Sequence, residues 1–375
     1  MVFLSLMASI GKTQPNTISF RDLTVWSTTL PDVKFAVLPP SNTRPNPLAT
    51  EDRVYASIFT PGAICALERD GGKLIWRREL GEHANACVYL HDGRLFANTS
   101  NTLFALRPDS GETIWSFCPH GTDGESIYSS PSANENRVFI GDRRGCLHCL
   151  DATSGRTIWK RHTNRSRNSD VNSTPVLIDG LVIVTTNAKT AVAYDAPSGK
   201  LAWKQKLDGP STFGPLLHQE SVFAVSDSLY QLSRTGRVQR RFSWKDEKVY
   251  QADVTPRSII VTFWPKSARL SSEQGAKTEP NNLTLLATES GVQRTTTFVE
   301  FCASFRYAPT TRLLYLSHLS GIDLIHAEKG TVLCHLRTTR DLRNGIALVD
   351  VRDKKIYALT GDGHVHALRH PLGLV

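Results

Sequence analysis

The sequence predicts an all-β chain closed into an eight-bladed β-propeller of four-stranded antiparallel blades, and three observations predict it. An 11-residue phrase with a small first residue, Gly at its seventh position and Trp at its end occurs four times, at 66–76 (ALERDGGKLIW), 105–115 (ALRPDSGETIW), 149–159 (CLDATSGRTIW) and 193–203 (AYDAPSGKLAW). Three weaker copies keep the turn and lose the Trp. The two ends of the chain carry complementary parts of one more unit. A period of 39 to 44 residues is that of one supersecondary unit copied around a ring or along a stack.

The elements follow in chain order. Residues 18–26 (ISFRDLTVW) read as a lone strand ending on Trp26. In each full copy, the first residues end a strand, the Asp, Ser, Pro and Gly cluster turns the chain, and the last residues begin the next strand. Gly72, Gly111, Gly155 and Gly199 stand where a tight hairpin needs φ > 0, which Gly reaches without a Cβ penalty. Trp26, Trp76, Trp115, Trp159 and Trp203 are apolar anchors that fill the gap between neighbouring sheets. That role explains the Trp residues better than four aromatic binding sites would. Turns around Gly236, Gly291 and Gly330 mark the degenerate units, and an apolar run precedes every turn, such as Arg53-Val54-Tyr55 and Arg137-Val138-Phe139. Each unit thus reads as four short strands. Residues 355–368 supply an eighth pair of strands with no Gly turn and no Trp, so joining them to residues 18–26 completes blade eight and removes the open sheet edge. Seven blades remain the fallback if the unit around Gly291 is incomplete.

With these residues in hand, the phrase A-x-D-x-x-[ST]-G-x-x-x-W resembles the repeat of the pyrroloquinoline-quinone (PQQ) propeller superfamily. That superfamily includes quinoprotein alcohol dehydrogenases and a propeller lipoprotein of bacterial outer-membrane assembly. The resemblance covers residues 15–369, which are expected to form a single domain. Residues 1–14 are read as a flexible N-terminus or degenerate targeting segment, and 370–375 as a tail. The resemblance implies the fold; activity depends on sites grafted onto it.

Composition suits a globular chain. Of 375 residues, 21% are charged and 40% hydrophobic, and nothing approaches the ~20 apolar residues of a membrane span. The net charge of +9 permits binding to an anionic surface, yet the positive residues are dispersed and no basic-aromatic motif occurs, so nucleic acid is not an expected partner. Residues 1–10 (MVFLSLMASI) are apolar but have no basic residue before them. The seven cysteines form no compact framework. Cys146 and Cys149 read as packed thiols, since residues i and i+3 of a strand face opposite ways. A cytoplasmic location is therefore expected, with export as the alternative if the N-terminus is a truncated signal.

The sequence shows no Cys-Cys pair and no carboxylate cluster for Ca²⁺, so no catalytic residue, cofactor or metal site is assigned. A protein- or ligand-binding scaffold is the favoured function, with a protein or peptide as partner. The alternatives are a small PQQ- and Ca²⁺-dependent oxidoreductase and a small-molecule sensor using the central funnel. Under either, the loops entering the innermost strands are the place to look, and they bring forward Ser129, Asn172, Asp253, Trp264, Arg306 and Asn344. A basic connection with Arg161, His162, Arg165 and Arg167 is a candidate for an anion or an acidic partner. The polar insertion at about 264–282 reads as a disordered hairpin tip or a partner-binding loop.

Overall fold

In the computed structural model the described residues are 15–34, 46–81, 83–84, 88–121, 127–164, 169–211, 213–265, 282–287, 293–297, 302–318, 320–338 and 349–373. At 250, 264–265, 282–287, 293–297 and 302–304 the description is of the backbone. The strands form eight sheets, seven of four strands and one of five, so the ring has eight blades. Lettering the strands of a blade a to d, blade 1 is Leu48–Ala49, Arg53–Ile58, Gly62–Glu68 and Leu74–Gly81. Blade 3 is Ser132–Asn134, Arg137–Gly141, Cys146–Asp151 and Thr157–His162. Blade 6, the weak unit, is complete: Glu247–Val254, Ser258–Pro265, Asn282–Ala287 and Gln293–Thr297. The a strands of neighbouring blades touch one another and so lie nearest the axis.

The closure is more elaborate than the single strand expected at 18–26. Thr24–Thr29 does complete blade 8, running antiparallel to His364–Arg369 with Trp26 opposite Ala367. Asn16–Ser19, however, belongs to blade 7, where it lies parallel to Val332–Arg337 as a fifth strand. A single helical turn, Phe20–Leu23, joins them. The Ser19 hydroxyl caps it by accepting from the Arg21 N–H at 3.2 Å. Phe20 is buried among blades 7 and 8. Burying that ring takes a change of direction, which a hydrophobic pattern alone does not reveal.

The core is divided among the blade interfaces. Eight buried clusters occur among the described residues, each built from two neighbouring blades; one joins blades 8 and 1 through Trp26, Val54, Leu67 and Tyr357. The five Trp residues act across these interfaces. Each indole N–H donates to a carbonyl in the next blade's c–d turn: Trp26 to Arg69, Trp76 to Pro108, Trp115 to Ala152, Trp159 to Ala196 and Trp203 to Arg234, at 2.8 to 3.1 Å. The rings lie against the turn glycines Gly72, Gly111, Gly155, Gly199 and Gly236, whose φ values run from 66° to 81°. A Cβ on any of them would approach the Trp ring to 2.7 Å or less. The small residue that opens each phrase also has its reason. It pairs directly with its Trp: Ala66 with Trp76, Ala105 with Trp115, Cys149 with Trp159 and Ala193 with Trp203.

Between blades 7 and 8 a buried chain of hydrogen bonds makes the ring sensitive to acid. The Leu372 N–H points at Nδ1 of His370 (3.3 Å), so Nε2 carries the proton and donates to the Tyr315 hydroxyl at 2.7 Å. That hydroxyl in turn donates to Thr311 Oγ1 at 3.0 Å. Burial pushes the His370 pKa from 6.5 down to about 4. The unfolded chain therefore binds a proton that the folded one refuses, and stability present above pH 6.5 is lost as pH falls towards 4. Melting temperature should decline across that window. His370→Gln should begin from a lower melting temperature and decline less steeply; an equal slope would show that His370 does not set the acid response.

Candidate functional site

The b–c hairpins and the connections from one blade to the next share one face of the ring. Ser129 and Asn172 of the predicted funnel set lie there, whereas Asp253 and Arg306 stand within a strands, near the a–b hairpins of the opposite face; the described side chains of the set tie the fold together. Ser129 is buried; its hydroxyl accepts from the Gly141 N–H at 2.9 Å and donates to the same residue's carbonyl at 3.1 Å. Asp253, in strand a of blade 6, accepts from the Tyr307 N–H of blade 7 at 2.9 Å and from the Val254 N–H at 2.8 Å. Burial pushes its pKa up to about 6 against those two donors and the Arg306 charge. Arg306 pairs with Asp350 of blade 8 at 3.3 Å, and Asp350 accepts from the Ala49 N–H of blade 1 at 2.9 Å. These groups link successive a strands across three blade boundaries. Asn172 is half-buried, with its Oδ1 buried and unpartnered. Asn344 and the side chain of Trp264 lie outside the described residues, as do residues 266–281 of the insertion.

The predicted basic connection is only partly described, because Arg165 and Arg167 also lie outside. Arg161 is committed to the next blade: it donates to the carbonyls of Gly199 at 2.8 Å and Ser198 at 3.0 Å, and its guanidinium lies 5.7 Å from the Trp159 ring. His162 is exposed and contacts the Cys146 thiol at 3.2 Å. Arg161 thus fastens two blades, and the fork that would hold an anion is occupied by backbone.

Two groupings escaped sequence reasoning. The first is a cleft of about 660 Å³ where the ring closes, lined by Phe20, Arg21, Ser27, Asp362, His364 and His366 among others. It lies beside strands c and d of blade 8, away from the axis. The His364 and His366 rings stack there at 6.0 Å, and burial pushes His366 down to about 4. The second is His120, Asp142 and His148, brought together from the connection after blade 2 and the b–c hairpin of blade 3. Burial would raise the Asp142 carboxyl, but bonds from His148 and the Cys146 N–H outweigh it and hold the group below the usual carboxylate range. Burial lowers His148. An acid at the end of strand b with a His six residues on was a usable signal once the hairpin was placed; His120 could not be joined to it without the ring.

A family model described as outer membrane protein assembly factor BamB matches residues 21–244 and 143–297, which together reach across more than half of the chain. The chain belongs to this family, of PQQ-like repeat propellers. Curated relatives include the outer membrane protein assembly factor BamB of Salmonella typhimurium, 27% identical over 108 residues, and that of Moranella endobia, 30% identical over 108 residues. Each match takes in 28% of this chain and 26% of the relative, so it spans about a quarter of those proteins. Among solved structures, a quinohemoprotein alcohol dehydrogenase from Pseudomonas putida HK5 superposes with a TM-score of 0.72 at 12% identity, covering 94% of this chain and 76% of that one. The computationally designed Ika8 protein does so with 0.69 at 12% identity, covering 92% and 99%. Both likenesses show the propeller fold alone.

The family lends no support to the cytoplasmic expectation, and the free thiols behind it are mostly buried, with Cys118 alone exposed among the described residues. Cys65, Cys146, Cys149 and Cys334 are buried and unpaired. Burial pushes their pKa values up to about 11 or 12. Thiols held protonated and out of solvent are inert and carry no message about compartment. No helix among the described residues is long and apolar enough to cross a membrane.

Proposed function

We propose that this chain is a non-catalytic, protein-binding propeller that serves outer-membrane protein assembly outside the cytoplasm. The observation that carries this reading is the family match, which runs along most of the ring rather than over one loop or pocket. The rim offers a means of binding. The d strands of blades 1, 3, 4 and 5 form the outer edges of their sheets and carry Arg77 and Arg78, Lys160, Lys204 and Lys206, and Arg240 and Arg241. Blade 7 carries an extended segment on the equivalent edge, since Asn16–Ser19 pairs in parallel with Cys334 to Arg337. An acidic, extended segment of a partner protein would add to a basic edge in the same way, backbone bonds giving affinity and charge giving register. Single exposed aliphatics, Ile158, Leu201 and Val238, flank these edges.

Photo-crosslinking side chains placed at Leu201 and Val238 test this in intact cells. The expected result is crosslinks to a protein of the cell envelope, with the chain itself in that fraction. A cytoplasmic chain without crosslinks would overturn the proposal, as would saturable, Ca²⁺-dependent stabilisation by PQQ, which would favour an oxidoreductase.

A further inference from the structure

We infer that His120, Asp142 and His148 form a binding site for a divalent transition-metal ion of the zinc type. The Nε2 atoms of both histidines converge on one carboxylate oxygen, Oδ2 of Asp142, at 2.9 Å from His120 and 2.7 Å from His148. The other oxygen is held from behind by the N–H groups of Arg144 at 2.9 Å and Cys146 at 2.8 Å. Those two bonds fix the direction in which Oδ2 points. The three ligand atoms lie within 4.8 Å of one another. Two imidazole nitrogens and one carboxylate oxygen make a three-ligand set that suits zinc and leaves a fourth position for water.

Burial makes the case for a cation. The Asp142 side chain has no exposed surface, His148 has 2% and His120 has 9%. Among the described residues no Lys or Arg pairs with Asp142, whose partners are two imidazoles and two backbone N–H groups. A carboxylate taken wholly out of water ordinarily has a charged partner. The same protein supplies the contrast. In blade 7, Asp323 accepts from His318 at 3.2 Å and His335 at 2.7 Å, but there Arg337 also reaches it, at 2.7 Å. The guanidinium stands where blade 3 has none. Tetrahedral zinc spaces its ligands by about 3.4 Å, so the Asp–His contacts of 2.9 and 2.7 Å would open by about 0.5 and 0.7 Å. On binding, the Nε2 protons leave and His120 carries its proton on Nδ1. Its long contact with the exposed Arg144, 3.4 Å from Nδ1 to the guanidinium, then gives way. The ion would pin the connection leaving blade 2 to the hairpin of blade 3. This assignment is independent of the scaffold proposal, because its readout is metal binding.

The test uses the full chain, stripped with a chelator and titrated with Zn²⁺ against a chromophoric competitor, with Co²⁺ as a spectroscopic probe. The expected result is one ion per chain and the comparatively intense visible d–d bands of four-coordinate Co²⁺, without a thiolate charge-transfer band. His120→Gln, at the rim of the group, should keep the fold and weaken binding by more than about tenfold, the least expected of a lost ligand. Asp142→Asn should do the same where it folds. No binding, undiminished binding in His120→Gln, or a thiolate band that moves the ion to Cys118 or Cys146 would each overturn the assignment.

Discussion

Trp159→Ala is expected to destabilise the protein by about 3–5 kcal/mol, the usual cost of truncating a buried Trp. The ring is 6% exposed, its N–H is bonded to Ala196 at 2.9 Å, and it packs with Phe139, Val182 and Tyr194 between blades 3 and 4. Removing it leaves a void on the face of Gly199 and an unmet carbonyl at Ala196. Gly199→Ala attacks the same contact from the other side. Its φ of 66° costs an L-residue about 1–2 kcal/mol, and the added methyl would stand 2.7 Å from the indole. The clash vanishes when the indole is gone, while the backbone strain does not. The double variant should therefore lose less than the sum of the two single losses. Urea unfolding of the four proteins measures this directly, and strict additivity would show that ring and turn do not meet.

The Trp–Gly contact explains why so much of the fold could be read from the chain. A Trp needs a turn without side chains on the next blade and a small residue opposite it on its own, so the contact imposes three fixed positions per unit. Blades 1 to 4 display all three. Blade 5 keeps the receiving glycine, Gly236, against Trp203 but places Gln231 opposite Arg240 in its own hairpin, and the signal fades there. Position in the ring, by contrast, was not readable for the polar residues. Asp253 and Arg306 read as candidate ligand groups because acids and bases near the axis are what a cofactor needs. They proved to bond across blade boundaries, which is equally what an inner strand needs. Sequence distance hid the His120 group for the opposite reason: its members lie on two blades and meet only when the ring is assembled.

Deletion of residues 1–29 should make the ring aggregate. The deletion removes strand d of blade 8 and with it Trp26, whose N–H bond to Arg69 and packing on Gly72 join blade 8 to blade 1. The edge of His364–Arg369 would then be unpaired, and Ala367 and Val365 of the same strand belong to a core cluster that loses Trp26. An exposed edge beside an opened apolar face is a template for pairing with other chains. A shorter deletion, of residues 1–23, separates closure from decoration. It removes the fifth strand of blade 7 and the buried Phe20, but it keeps Thr24–Thr29 in place. That variant should stay monomeric and melt cooperatively at a lower temperature, since the ring remains shut while one interface loses its aromatic ring. Size-exclusion chromatography and thermal melts distinguish the two. If the longer deletion also gave a monomer with one sharp transition, the other seven interfaces would suffice to hold the ring, and closure by Thr24–Thr29 would be dispensable.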